Sequence, residues 1–547
     1  MGTARRLYLY AASLIALATF GLGIQGLLTV VVGRLLDSFG AVISDPGGVT
    51  REQTSLAIAL IVVGLPIWLI HWTIAQRSVG ATATTGLSER QAAVRAFHLA
   101  LVRGVTLAIL VVVAIGIVSR ALRMALGGEV GTVDLAGSIA WLVVAAAGWG
   151  YHTWVARRDA LGGAAVEPGL SWTRLYRYGA ALGGILIAMA ASSRLITIAI
   201  SMLIGPAPIL GGTTAWHPAM AGAIPAALAG LAVWAFHWRG SSTTVGDAQV
   251  TADAQASVLR MIVVGGLLLL GAVVTGQAAV SALTAIGETV VGASADGSVP
   301  SLIESVVAPP LAALPFLAGA WFHVRERHAE AAVAGGEAAD SARRIARHLL
   351  ALVGLAFLAA GAFRLLGFAL DAMLGVRSIT GGDIVPIPVS VAQIIVGAVM
   401  WAPAWRAILR QRVAAPTTER QARAGRAYLY VVVGVSLISA IGSGVFVLYR
   451  LIDAAMGGGG RGLGAEIATP LAALVVAIAV ALYHGRLVVG DMRAAQEPAG
   501  SMPEDAWPGA APIELPFRLL GPAGTDLSRV VDAIRDGLPP GVTLEAD

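Results

Sequence analysis

A chain of 547 residues that is 57% hydrophobic and only 13% charged, with mean hydropathy +0.79, cannot cover a water-facing surface. It has no Cys and no Lys, so all 37 basic residues are Arg; disulfides, iron–sulfur clusters, thiolate catalysis, the GxxxxGK[ST] phosphate loop and any Schiff-base lysine are excluded. The net charge of +5 is no sign of nucleic-acid binding, because the arginines stand at the borders of apolar runs.

Arg5 and Arg6 precede an apolar run over 7–36. That run is too long for a signal h-region and lacks a small-residue cleavage site, so an uncleaved first span is expected. A spanning helix needs roughly 20 mainly apolar residues. Twelve runs qualify: 7–36, 54–76, 96–126, 134–156, 174–204, 217–239, 257–286, 302–324, 345–375, 387–411, 425–456 and 465–488. Alternate loops carry the arginines, among them Arg77, Arg90, Arg95, Arg157, Arg158, Arg325, Arg406, Arg412 and Arg420, whereas 205–216 and 287–301 carry none. The positive-inside rule then puts both termini in the cytoplasm. Aromatic residues crowd the Arg-rich side (Tyr8, Tyr10, Trp72, Trp154, Tyr178, Trp238, Trp321, Trp405, Tyr428, Tyr483), which reads as a belt at the inner interface.

The spans fall into six pairs with a period of roughly 80–88 residues. First helices open on Arg6-Leu7-Tyr8-Leu9-Tyr10, Arg174-Leu175-Tyr176-Arg177-Tyr178 and Arg426-Ala427-Tyr428-Leu429-Tyr430. Second helices end in an aromatic–His–Arg cluster at His71, His152, His237, His323 and His484, and the fifth unit has Trp405-Arg406 without the His. The repeats are about 1–90, 91–170, 171–252, 253–340, 341–420 and 421–490. Each enters from the same side, an arrangement found in transporters and in passive scaffolds alike.

Two-helix units with these openings and endings resemble a family of bacterial multi-pass membrane proteins catalogued as a domain of unknown function. The resemblance covers about residues 5–490 and implies an integral membrane location with tandem helical repeats. It brings no activity, cofactor or catalytic residue.

The five repeat histidines read as metal or haem ligands, as pH sensors, or as interface anchors, half in headgroups and half in tails. Each stands alone on its helix without an adjacent acid, so the anchor reading is favoured and neither metal nor cofactor is expected. Among the outer arginines, Arg34 and Arg450 have Asp37 and Asp453 at i+3, while Arg194 and Arg364 lack a local acid and are candidate solute or lipid contacts. Arg103 sits about two turns inside the third span; it snorkels inward, or it needs a carboxylate or a lipid phosphate. Pro309, Pro310 and Pro315, just after Glu304, mark the sharpest expected helix break and a candidate contact region.

After Asp491 the composition changes. Residues 491–512 read as a linker, and 513–547 as a small cytoplasmic tail of β-α-β pattern. From Asp491 onward ten acids face four arginines, so the tail either docks beneath the Arg-rich face or is a poorly ordered segment with some helix.

The expected fold is all-α and transmembrane, in the cytoplasmic (inner) membrane. The expected function is that of a non-catalytic scaffold or accessory subunit of a membrane complex, with membrane lipids and other subunits as partners and no nucleic acid. The alternative is a transporter or channel for a small or lipidic solute, with a cavity near the proline-broken helices. An enzyme ranks third, since no paired carboxylates or HExxH-type constellation appears.

Overall fold

The computed structural model describes residues 3–38, 48–80, 89–126, 135–161, 169–204, 216–242, 258–293, 298–334, 336–376, 386–457 and 462–496, with Val531 and Ile534 besides. Residues 491–496 of the expected linker continue the last helix, while the rest of the linker and all of the expected β-α-β tail except Val531 and Ile534 lie outside the described residues. Those residues form thirteen helices and no strand: α1 (Thr3–Ser38), α2 (Gly48–Val79), α3 (Ala93–Ala125), α4 (Leu135–Asp159), α5 (Gly169–Ile204), α6 (Trp216–Ser242), α7 (Val258–Val290), α8 (Val299–Ala334), α9 (Gly336–Met373), α10 (Pro386–Ala414), the short α11 (Pro416–Gln421), α12 (Arg423–Ala455) and α13 (Leu463–Gln496).

Eleven of the helices are long and apolar enough to cross a membrane, and α4 is the long helix outside that set. Their outward faces carry large apolar side chains such as Ile15, Val112, Val399 and Ile438, each more than 60% exposed. An apolar surface of that extent is stable against lipid and not against water. The chain is a multi-pass membrane protein.

Packing sorts the long helices into three units of four. Within α1–α4 the first helix touches the other three and the third touches the fourth; α5–α8 repeats this, as does the set α9, α10, α12 and α13. The third helix of one unit then lies on the first two of the next: α3 on α5 and α6, and α7 on α9 and α10.

The closest approach recurs between the first and second helices. A Cβ added at Gly64 would stand 2.6 Å from the Phe20 nitrogen, and one at Gly230 would stand 2.6 Å from the Ala188 nitrogen. One at Gly397 would collide with the Leu358 nitrogen. These glycines each lie eight residues before a buried tryptophan, Trp72, Trp238 and Trp405. Glycine inside a helix costs about 1 kcal/mol relative to Ala. Here it lets two backbones touch, which is how helices associate in lipid, where burial of apolar surface gives little drive.

The prolines do not break their helices. Pro309, Pro310 and Pro315 all lie inside the continuous α8, as Pro66 does in α2, Pro225 in α6, Pro403 in α10 and Pro470 in α13. The expected break at 309–315 is therefore corrected. A proline removes one backbone donor, and a helix packed among neighbours tolerates that loss.

Gly230→Ala should lower the thermal stability of the detergent-solubilised protein by about 1–3 kcal/mol of overpacking. Gly222→Ala, about two turns earlier on α6 with nothing within 4 Å of the added Cβ, should not lower it. Equal effects on thermal unfolding would contradict the close-crossing account.

Candidate functional site

At the Arg-rich end of the first unit, one polar network touches all four helices. Arg6 and Tyr10 come from α1, Gln76 from α2, Arg95 from α3 and Asp159 from the last turn of α4; Glu89 precedes α3 in a short helical turn. Arg6 Nε donates to Glu89 Oε2 at 2.8 Å, and the Tyr10 hydroxyl donates to Glu89 Oε1 at 3.0 Å. Arg95 then donates to the Tyr10 hydroxyl at 3.1 Å, to Gln76 at 3.0 Å, and to both Asp159 oxygens at 2.6 and 3.2 Å. Arg95 and Glu89 are almost wholly buried, at 0% and 1% exposure. Two charges taken out of water remain stable only if their hydrogen-bonding groups are matched, which this fork-to-carboxylate geometry does.

An aromatic and histidine layer lies beneath the network. Trp72 stacks on His98 with centroids 5.3 Å apart, and His152 stands 5.7 Å from Trp72 and 6.0 Å from His98. The Arg95 guanidinium lies over the Trp72 ring at 5.6 Å. His152 Nδ1 bonds the Gly148 carbonyl one turn back, so Nδ1 carries the proton and Nε2 is a bare acceptor. His98 lies against the backbone of Tyr10. Its ring nitrogens, like His152 Nε2, have no hydrogen-bond partner among the described residues.

The other two units build the same layer with different residues. The fourth-helix histidines His152, His323 and His484 are each 1% exposed, and each faces the second-helix tryptophan, Trp72, Trp238 or Trp405. In the second unit Val263 takes the place of His98, and Trp234 donates to His323 Nε2 at 3.2 Å. Arg260 repeats Arg95, lying 4.7 Å over Trp238 and 3.4 Å from Glu326. In the third unit the first and third helices exchange residue types. His348 stands where Tyr10 does and Tyr428 where His98 does, with centroids 5.6 Å apart against 5.5 Å for Tyr10 and His98. The Tyr428 hydroxyl reaches His484 Nε2 at 3.4 Å. Arg344 pairs with Glu419 at 2.6 Å, as Arg6 does with Glu89, and Arg412 pairs with Asp491, the counterpart of Asp159. The first unit alone among the described residues leaves its fourth-helix histidine acceptor open.

The five repeat histidines thus divide. His152, His323 and His484 are packed between helices, and His237 is buried with its Nε2 bonded to the Tyr176 hydroxyl at 3.0 Å. His71 is half-buried against the Tyr8 hydroxyl at 3.2 Å. The picture of rings held half in the headgroups is corrected for the four buried ones, because their neighbours on adjacent helices enclose them. The aromatic belt divides the same way: Tyr8, Trp154 and Trp321 are more than half exposed, while Tyr10, Trp72, Tyr178, Trp238, Trp405 and Tyr428 are core residues.

The candidate contacts Arg103, Arg194, Arg364, Glu304, Pro309, Pro310 and Pro315 are not gathered round one site. Arg194 and Arg364 are exposed on α5 and α9. Glu304 on α8 accepts from the Ser201 hydroxyl on α5. Arg450 pairs with Asp453 at 3.5 Å and also with Glu466. Arg103 is buried and 6% exposed, its Nε bonded to the Leu99 carbonyl at 3.1 Å.

Sequence reasoning missed the acids Glu89, Asp159, Glu326, Glu419 and Asp491. Two signals pointed to them: Glu-Arg-Gln-Ala occurs at both 89–92 and 419–422, and an Asp follows both His152 and His484 by seven residues. Among the described residues no three metal-ligating side chains converge.

A family model, Domain of unknown function (DUF5671), matches three times, over residues 6–147, 174–319 and 344–490. Each match falls on one four-helix unit and ends within its fourth helix. No curated protein and no solved structure matches the chain.

Asp159→Asn strips Arg95 of its carboxylate and should destabilise the protein by about 3–5 kcal/mol, whereas the double variant Arg95→Met with Asp159→Leu should recover most of that loss. Thermal unfolding of the two variants checks this, and no recovery in the double variant would contradict it. Exchanging Tyr10→His with His98→Tyr installs the third unit's solution in the first. The pair should be clearly more stable than the sum of the two single changes predicts, because contacting residues couple by roughly 0.5–3 kcal/mol.

Proposed function

The chain belongs to the DUF5671 family, and on that premise we propose that it is a non-catalytic scaffold or accessory subunit of a membrane complex. The observation that carries the reading is where the polar groups go. In the first unit Arg6, Glu89, Tyr10, Arg95, Gln76 and Asp159 are one another's partners, and the third unit repeats the acid–arginine pairs. Groups engaged in this way fasten helices and leave little polar surface for a solute path. Two cavities, of about 590 and 380 Å³, have almost wholly apolar walls and so offer a polar solute no path.

The finer topology is part of the proposal. Twelve spans, six two-helix repeats taken in pairs, both termini cytoplasmic and placement in the inner membrane agree with the arginine distribution. The twelfth span is α4. At 25 residues it is about 37 Å long, enough for a hydrocarbon core of about 30 Å, and it packs on α1 and α3 as α8 packs on α5 and α7.

Transport of a lipidic solute is the second reading, favoured by the two apolar cavities. They lie between α3, α5 and α6 and between α9, α12 and α13, and not beside Pro309–Pro315.

Isolation of the full chain from its native membrane under mild conditions, with protein partners identified by mass spectrometry, tests the proposal. A stoichiometric protein partner is the expected result. A partner-free protein that moves a lipidic solute across reconstituted vesicles would overturn the scaffold reading in favour of the second.

A further inference from the structure

We infer that the groove between α3, α5 and α6 is a binding site for one anionic glycerophospholipid, its acyl chains in the groove and its phosphate on Arg103. The inference concerns a site and stands independently of the scaffold reading.

The groove has a volume of about 590 Å³ and runs along the junction of the first and second units. Its floor includes Gly104, Gly179 and Gly183, and a Cβ added at any of the three would meet nothing within 4 Å. These glycines do not serve a close helix crossing, unlike Gly184 beside them, where an added Cβ would meet the Trp234 nitrogen at 2.6 Å. They leave room. Val105, Val112 and Leu175 line the groove and are 45% or more exposed, so it opens sideways to the lipid. Phe97 and Trp172 form its rim, with ring centroids 4.8 Å apart.

Arg103 adjoins the groove behind its Tyr176 wall and is the cation assigned to the polar end. Its guanidinium lies 4.2 Å from the centroid of Tyr176, a residue of the groove wall. The Tyr176 hydroxyl is already engaged by Trp149 at 2.8 Å and His237 at 3.0 Å, so it offers Arg103 its ring face alone. Among the described residues no carboxylate pairs with Arg103 or with Arg177, which is near enough for the two like charges to act on each other. Among the described residues, the other arginines with so little exposure each have an acid: Arg95 has Asp159 and Arg260 has Glu326. A buried cation needs an anion or a cluster of acceptors.

Depth selects the kind of anion. Arg103 lies ten residues into α3, about 15 Å from its start. With the 33-residue helix centred on a hydrocarbon core of about 30 Å, that position is about one turn inside the boundary. A lipid phosphate reaches an arginine at that level, and its chains then continue along the apolar groove. Two arginines without a neighbouring acid favour a headgroup with net negative charge over a zwitterionic one.

The test uses the full chain, delipidated in detergent and titrated separately with dioleoyl phosphatidylglycerol and dioleoyl phosphatidylcholine, with bound lipid counted by native mass spectrometry. The wild type should retain one phosphatidylglycerol in preference to phosphatidylcholine, and inorganic phosphate should not displace it. Arg103→Gln should weaken phosphatidylglycerol binding roughly tenfold, the change that about 1.4 kcal/mol produces, and remove the preference. Gly183→Leu fills the groove without meeting protein atoms at its Cβ, so it should abolish retention of either lipid while thermal unfolding stays near that of the wild type. Equal retention of the two lipids by the wild type, displacement by inorganic phosphate, or retention unchanged in Gly183→Leu would overturn the inference.

Discussion

Where the first and second helices of a unit cross, the backbones meet over a glycine: Gly64 against Phe20, Gly230 against Ala188 and Gly397 against Leu358. In lipid, tails compete for every apolar contact, so two helices stay together through close packing and polar bonds. The glycine crossing sets how near the second helix comes to the first. That in turn fixes how deep Trp72, Trp238 and Trp405 sit, and those rings are 3% exposed in all three units. The fourth-helix histidines pack on the tryptophans, and in the first two units an arginine lies over the ring. The first helix, which touches every other helix of its unit, is the element on which the rest converge.

The three units solve one packing problem with different chemistry. A buried histidine acceptor on the fourth helix is met by Trp234 in the second unit and by Tyr428 in the third. In the first, His98 and His152 face each other instead. The tyrosine–histidine contact between the first and third helices keeps its ring spacing in the first and third units although the residues trade places, and the second unit puts Val263 where that contact would be. Salt bridges are less interchangeable. Arg95 is matched by Arg260 but by Gly425 in the third unit, where a Cβ would stand 3.5 Å from His348. The third unit instead draws the cation for Asp491 from Arg412 on the second helix.

The helices and their repetition were legible in the sequence because apolar length and the Arg-x-Tyr-x-Tyr and His-Trp patterns are local properties. The pairing of two-helix units into four was not, since it depends on α1 reaching α4 across two intervening elements. Histidines and tryptophans near arginines fit an interface belt as well as a core, and only the neighbouring helices decide between them. Glu89 and Asp159 looked like ordinary charges at helix borders, although the repeated Glu-Arg-Gln-Ala was on view. The prolines misled for a physical reason: one missing donor weakens a helix, but the packed α8 runs through Pro309, Pro310 and Pro315 without stopping. Arg103 was legible as a charge too deep to ignore, and the structure adds the groove beside it.

The central claim is that each unit folds its first helix against its fourth. The absence of cysteine makes this directly testable, because any disulfide formed is one that was introduced. A Cβ at Gly33 on α1 would lie 3.9 Å from the Ala136 Cβ on α4, and one at Gly367 on α9 would lie 3.9 Å from the Ala472 Cβ on α13. Disulfides prefer a Cβ separation of about 3.8 Å. Oxidation of membranes carrying Gly33→Cys with Ala136→Cys, or Gly367→Cys with Ala472→Cys, should cross-link each pair efficiently, while Gly33→Cys with Ala472→Cys should stay reduced. Failure of both designed pairs, or efficient cross-linking of the mismatched one, would contradict the four-helix unit.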